Sequence, residues 1–252
     1  MKNRACIAAM AIVLAATPCL AQDAGVGRPY SLVTEAWPPF RMNDGSAPSG
    51  FIGIDIDIAL ELERRLGIAI EIQRRPWARA LEMMKSGEAD LVTGIARTDE
   101  RESYMAYVGV PYAAVQPVFY ALKGKGSAIG TYDDLYGKSI GFSLNSAYFE
   151  PFNSDSMLTK VGLSTEEQIL KVLSLGRIDV AIGTDPNMSW DVARLGYRDA
   201  LERTSYRPTV RTDLYIAISR KSSAVALAPD IERALKVMVS DGTIEAIVEK
   251  YR

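Results

Sequence analysis

The feature that most constrains the fold is an alternation of strand-like and helix-like segments that contains a repeat. From Tyr30 onward, short apolar runs alternate with segments of helical periodicity, the pattern of an α/β protein. Segment 87–94 (GEADLVTG) has Gly, Asp and Gly at its first, fourth and last positions, and segment 176–183 (GRIDVAIG) has the same three residues there. Each segment leaves a predicted helix and enters a predicted strand. We therefore predict two lobes of like architecture.

The remaining elements follow from capping residues and apolar runs. Asp57 is predicted to cap one helix, Pro76 to open a second, and a capping box over 164–167 to open a third. Strands are predicted over 30–34, 68–73, 89–95, 139–143 and 177–183, and helices near the end of the chain over 230–239 and 243–251. The extended segments 115–122 and 214–219 are predicted to cross between the lobes, and two crossings make a hinge.

The first 21 residues are predicted to be a cleaved signal peptide. Lys2 and Arg4 precede an apolar run over 7–16, which is too short to span a membrane, and small residues precede Gln22. The alternative is a retained N-terminal anchor. Cleavage after Ala21 would leave a periplasmic protein without cysteine, which must be stable without disulfides.

The absence of histidine narrows the chemistry available to the chain. With no His, and no Cys after cleavage, Ser-His-Asp and Cys-His nucleophiles and imidazole or thiolate metal sites are impossible. Acid–base chemistry would fall to carboxylates, Lys or Tyr. The formal net charge of −2 argues against a nucleic-acid surface. We expect no cofactor, no metal and no nucleic-acid partner.

Five short motifs occur in an order that resembles a known family. They are WPPF (37–40), GIDID (53–57), SGEAD (86–90), TDER (98–101) and DGT (241–243). In this order they resemble the family 3 periplasmic solute-binding proteins, the polar amino-acid receptors of ABC importers, over essentially the whole mature chain. Segment 76–80 (PWARA) is similar to a branch of that family whose ligands are mostly undefined.

The resemblance implies the periplasmic binding protein-like type II fold. This fold has two α/β lobes joined by two crossing strands, with the ligand in the cleft between them. Lobe one would comprise 28–114 and 214–252, and lobe two 115–213.

Arg101 is the residue that the resemblance places on the ligand carboxylate. A planar guanidinium offers two parallel donors that match a carboxylate, and Thr98 would begin a helical turn whose N–H groups could face the anion. The alternative is a solvated Arg101 within the charged segment 97–102. Arg97 could pair with Asp99 or touch the ligand.

Other contacts are implied on both lobes. Trp37 lies where the family has an aromatic residue over the ligand, the alternative being a place in the core, and Glu35 is a candidate at the cleft edge. Ala96 occupies a position where a hydroxyl contact is common. In lobe two, Ser146 could contact the carboxylate or only cap a helix. Asp185 would meet a ligand ammonium, although it lies one residue beyond the family's usual acidic position.

The predicted function is capture of a small carboxylate-bearing ligand, expected to be amino-acid-like, by a monomer that serves an ABC permease. One alternative is an enzyme on the same scaffold, resembling cyclohexadienyl dehydratase. Its general acid would be Glu35, Glu150 or Asp185. Another alternative is a sensory receptor with the same clamp.

Overall fold

The computed structural model describes residues 28–251, so the predicted signal peptide lies outside the described residues. The strands are β1 (Tyr30–Thr34), β2 (Met42–Asn43), β3 (Phe51–Ile52), β4 (Ile70–Arg74), β5 (Leu91–Ile95), β6 (Met105–Tyr107), β7 (Ala113–Leu122), β8 (Ser139–Ser143), β9 (Thr159–Leu163), β10 (Val180–Asp185), β11 (Leu201–Arg203) and β12 (Thr212–Ser219). The α-helices are α1 (Ile54–Leu66), α2 (Trp77–Ser86), α3 (Asp99–Glu102), α4 (Glu166–Ser174), α5 (Asn187–Arg194), α6 (Ala228–Ser240) and α7 (Thr243–Glu249).

Lobe one is built on the strand order β4-β1-β5-β12, with β6 also paired to β12. Strand β1 runs parallel to β4 and β5, whereas β12 runs antiparallel to β5 and β6. Neighbouring residues of β1 face opposite sides of the sheet. Leu32 therefore packs in a cluster with residues of α1, α6 and α7, and Val33 packs in another with residues of α2.

Lobe two repeats this arrangement with the order β9-β8-β10-β7, and β11 also pairs with β7. Strand β8 runs parallel to β9 and β10, and β7 runs antiparallel to β10 and β11. Helices α4 and α5 cover one face of the sheet, and an aromatic cluster that includes Phe119, Phe149 and Phe152 covers the other.

The repeated aspartate of the sequence makes the same contact in both lobes. Asp90 accepts hydrogen bonds from the backbone N–H of Ser31 at 2.8 Å and from its hydroxyl at 3.0 Å. Asp179 accepts from the N–H and hydroxyl of Ser139 at 2.8 and 2.7 Å. Asp90 thus fixes the start of β5 beside β1, and Asp179 fixes the start of β10 beside β8. The prediction of two similar lobes is confirmed.

Two strands cross between the lobes. Residues 113–115 of β7 pair with residues 212–214 of β12, after which β7 continues into the lobe-two sheet and β12 into the lobe-one sheet. This pair brackets the predicted divisions of the chain at 114/115 and 213/214, which stay predictions. Within residues 28–251, no helix is both long and apolar enough to cross a membrane.

Three local predictions were wrong. Helix α1 begins at Ile54, before Asp57, because Gly53 at φ 136° turns the chain there. Thr165 caps α4 by accepting from the Gln168 N–H, so the capping box lies one residue later than predicted. No helix begins in the described segment between β8 and β9, because Asn145 at φ 61° continues into a turn.

Candidate ligand-binding cleft

A cleft of about 650 Å³ lies between the lobes, beside the crossing strands. This volume is in the range of small-molecule sites. Lobe one contributes Glu35, Trp37, Arg41, Trp77, Ala96 and Arg101 to the wall, and lobe two contributes Ser146, Tyr148, Glu166, Thr184, Trp190 and Asp191. Of the sequence-predicted contacts, five lie on this wall: Glu35, Trp37, Ala96, Arg101 and Ser146.

Arg101 is a buried cation that touches both lobes. It is 5 % exposed, and its Nη1 donates to the carbonyl of Ala96 at 2.9 Å while its Nη2 donates to the carbonyl of Asn145, in lobe two, at 2.8 Å. The ring of Trp77 lies 5.7 Å from the guanidinium carbon. Burial lowers the pKa of Arg101. Among residues 28–251, no carboxylate forms an ion pair with Arg101.

Thr98 and Ala96 hold Arg101 in place, and their side chains contribute no chemistry to the cleft. The Thr98 hydroxyl caps α3 by accepting from the Arg101 N–H at 3.3 Å, and Thr98 is absent from the cleft wall. The Ala96 carbonyl accepts from Arg101 and also from the Tyr107 hydroxyl at 2.9 Å. Arg97, in contrast, is ion-paired with Glu102 and is not part of the wall.

Trp37 both lines the cleft and contacts the core. Its ring stacks on Phe40 at 4.6 Å between centroids, and Phe40 is a core residue with 3 % exposure. The Arg41 guanidinium lies 4.9 Å from the Trp37 ring centroid. The two interpretations drawn from the sequence are therefore compatible, because one face of the indole packs inward while the residue remains on the wall.

The floor of the cleft in lobe one rests on a buried ion pair. Arg41 pairs with Asp55, and both residues are almost fully buried. Arg41 also donates to the carbonyls of Thr93 at 3.0 Å and Glu35 at 3.1 Å, and the Tyr112 hydroxyl donates to Asp55 at 2.6 Å. These charges are therefore already compensated within the protein.

Glu35 lies at the N-terminus of α2. Its Oε2 accepts from the backbone N–H of Trp77 at 3.0 Å. Burial raises the pKa of Glu35 to about 6, although the charges of Arg41 and Arg74 and the Trp77 N–H all lower it. Among the described carboxyl groups of lobe one with a shifted pKa, Glu35 has the pKa closest to neutral pH.

Lobe two adds acidic groups that the sequence reasoning did not assign to the site. Glu166 is partly exposed as a residue, but its Oε2 is fully buried and has no hydrogen-bond partner. Burial raises the pKa of Glu166 well above its usual value, the charges of Asp191 and Glu35 raise it further, and a hydrogen bond from the Trp37 side chain partly offsets the rise. Asp191 is 4 % exposed and pairs with Arg194 at 3.0 Å, and burial also raises its pKa.

Asp185 does not lie on the cleft wall. It forms an ion pair with Arg203 at 2.5 Å and accepts from the Ser189 hydroxyl. Successive residues of a strand face opposite sides, so Thr184 lines the cleft and Asp185 points away from it. The single-residue displacement noted in the sequence is the signal that distinguishes them. Glu150 is exposed, and a hydrogen bond from Ser154 lowers its pKa.

Two α/β lobes, two crossing strands and a cleft between them define a type II periplasmic binding protein fold. The chain belongs to the bacterial extracellular solute-binding proteins, family 3, whose family model matches residues 31–252. It is 27% identical over 226 residues to the L-cystine-binding protein TcyJ of Escherichia coli, covering 85% of this chain and 79% of the relative. It is 26% identical over 223 residues to the arginine-binding extracellular protein ArtP of Bacillus subtilis, covering 84% and 81%.

A solved structure supports the same fold. An ancestral arginine-binding protein bound to arginine superposes with a TM-score of 0.76 at 24% identity, covering 90% of this chain and 99% of that one. At this identity the likeness establishes the architecture. The expectation of a family 3 solute-binding protein is thereby confirmed, and the predicted fold class with it.

Proposed function

We propose that this protein captures an amino acid in the cleft, closes its lobes around it and delivers it to an ABC permease. The observation that carries the proposal is the state of Arg101: a cation buried between the lobes that no carboxylate of residues 28–251 neutralises. Its relatives named above are amino-acid-binding proteins.

The geometry of Arg101 suits a ligand carboxylate. Of the five N–H donors of a guanidinium, the carbonyls of Ala96 and Asn145 engage only part. The remaining donors can form the two parallel bonds by which arginine holds a carboxylate. Because Asn145 belongs to lobe two, the carboxylate would bind where the lobes meet, and its arrival would favour closure.

The other assignments follow from the wall of the cleft. We assign ligand contact to Trp37, Glu35 and Ser146, and a positioning role to Thr98 and Ala96. Release into the periplasm by cleavage of the signal peptide, action as a monomer and delivery to a permease complete the proposal. Membership of an extracellular family and the short apolar leader of the sequence support the release into the periplasm.

Binding without turnover is also part of the proposal. The raised pKa of Glu35 makes it the one nominee for a general acid that fits the cleft, since Glu150 is exposed and Asp185 is ion-paired. Incubating the protein with prephenate or arogenate therefore tests the dehydratase alternative. We expect both compounds to be recovered unchanged, and their consumption would establish an enzyme.

A thermal-shift screen of amino acids, small carboxylates and amines tests the binding function. A ligand at 100 times its Kd adds about 2.7 kcal/mol to the free energy of unfolding. We expect at least one amino acid to raise the Tm of the wild-type protein and not that of Arg101→Ala. A screen in which no amino acid shifts the Tm, or one in which both proteins shift equally, would contradict the proposal.

A further inference from the structure

The charges inside the cleft do not balance. Arg41 is neutralised by Asp55, and Asp191 by Arg194. Three further charged groups line the wall without forming an ion pair to any residue of 28–251: the cation Arg101 and the carboxyls of Glu35 and Glu166. The other charged side chains on the wall, Arg74, Arg75 and Glu167, are exposed and screened by solvent.

Glu166 is the member of this set that most requires a partner. Its Oε2 is fully buried and unbonded, and the hydroxyl oxygen of Thr184, a residue only 8 % exposed, is also buried and unbonded. Both residues line the same cleft, and they come from different elements of lobe two, α4 and β10, so the pair is not a property of one helix end.

A ligand cation would donate to these acceptors and would also compensate the charge of an ionised Glu166. A buried carboxylate without a counter-charge is costly, and it reduces the cost by taking up a proton. Burial accordingly raises the pKa of Glu166. An ammonium or guanidinium group would allow Glu166 to ionise and would supply several donors at once.

We infer that the ligand is a basic amino acid, which carries one carboxylate and two cationic groups. Its carboxylate would pair with Arg101, its side-chain cation with Glu166 and Thr184 in lobe two, and its α-ammonium with Glu35 in lobe one. This ligand neutralises the cleft group by group. The inference rests on the proposed function, because it takes the carboxylate of the ligand as fixed on Arg101.

The position of Trp37 supports a ligand that reaches both Glu35 and Glu166. Besides burial, the charge of Glu35 raises the pKa of Glu166 and the Trp37 side chain lowers it, so the three groups share one region of the cleft. Trp37 also lines the wall, so the apolar stem of a basic side chain could pack against the indole.

Calorimetry on the wild-type protein is the first test, and it needs no variant. L-arginine is compared with L-citrulline, and L-lysine with L-norleucine; each pair differs mainly in the loss of the side-chain cation. We expect one basic ligand to bind at least about 30-fold more tightly than its neutral counterpart, the loss that follows when one member of a buried charge pair is removed.

The second test replaces the acceptor. Glu166→Gln should remove the preference for the basic ligand by weakening its binding about 30-fold or more, while the neutral counterpart binds as before. The matched control is Glu150→Gln, the same change at an exposed glutamate of lobe two that is absent from the cleft wall; it should preserve the preference.

The outcomes separate the two claims. Equal affinity for basic and neutral ligands, or equal behaviour of Glu166→Gln and Glu150→Gln, would overturn the inference. If amino-acid binding that depends on Arg101 persisted in that case, the proposed function would stand. Absence of binding by every amino acid would overturn both.

Discussion

Replacing Arg101 with alanine should affect ligand affinity and ligand-free stability differently. The substitution removes the guanidinium that is bonded to carbonyl groups of Ala96 and Asn145 and, in our account, to the ligand carboxylate. Loss of one member of a buried, hydrogen-bonded charge pair costs about 2–5 kcal/mol, which corresponds to a rise in Kd of roughly 30-fold to several thousand-fold.

The ligand-free protein should behave otherwise. Arg101 is buried without a counter-charge, so its removal relieves a desolvation penalty that offsets the two lost bonds to carbonyl oxygens. We expect the Tm of ligand-free Arg101→Ala to stay within a few degrees of the wild type. A residue whose role was only structural would lower the Tm.

Calorimetry with the best ligand from the thermal-shift screen measures the first effect, and thermal unfolding without ligand measures the second. Arg97→Ala is the matched control, because Arg97 lies four residues earlier, is 55% exposed and pairs with Glu102 outside the cleft wall. Its affinity should stay within about 0.5 kcal/mol of the wild type. Near-normal ligand affinity in Arg101→Ala would refute the reasoning.

Three further predictions concern stability. Because burial raises the pKa of Glu35 from 4.5 to about 6, its ionisation should destabilise the ligand-free protein as the pH rises through this interval, and urea unfolding of Glu35→Gln should lack this component. Gly94→Ala should lower the free energy of unfolding by at least about 2 kcal/mol more than Gly67→Ala. Both glycines have φ near +65°, but an added Cβ at Gly94 would collide with the buried ion pair of the cleft floor, whereas Gly67 faces open space. Asp90→Asn should lower the free energy of unfolding by about 2 kcal/mol and Asp179→Asn by about 1 kcal/mol or less, because the same contact is buried in lobe one and exposed in lobe two. Equal decreases in the urea midpoint for the two variants would contradict this order.

The fold was accessible from the sequence because its determinants are local. The glycine and aspartate of segment 87–94 recur in segment 176–183. In both lobes the aspartate fixes its strand beside a serine, on β1 in lobe one and on β8 in lobe two. The positions of the crossing strands also followed from apolar runs. The start of α1 was misplaced because Asp57 is a good cap by type, whereas the turn at Gly53 decided the boundary.

The site was only half accessible for a physical reason. Arg101 is marked by its own motif, and the structure places it on the cleft wall. Glu166 reads in the sequence as one of two acidic residues in the first turn of a helix, a common and unspecific pattern. What distinguishes it from Glu167 is the burial of its Oε2 and the influence of Asp191, Glu35 and Trp37 on its pKa, residues far away in the chain. Thr184 and Asp185 differ in the same way, because the direction of each side chain depends on the register of β10.

The most direct test of the account is the structure of the protein crystallised with the ligand that gives the largest thermal shift. The account predicts closed lobes, with the ligand carboxylate within about 3 Å of the Arg101 guanidinium nitrogens and a ligand cation within about 4 Å of a Glu166 oxygen. A ligand whose carboxylate lies away from Arg101 would contradict the central claim.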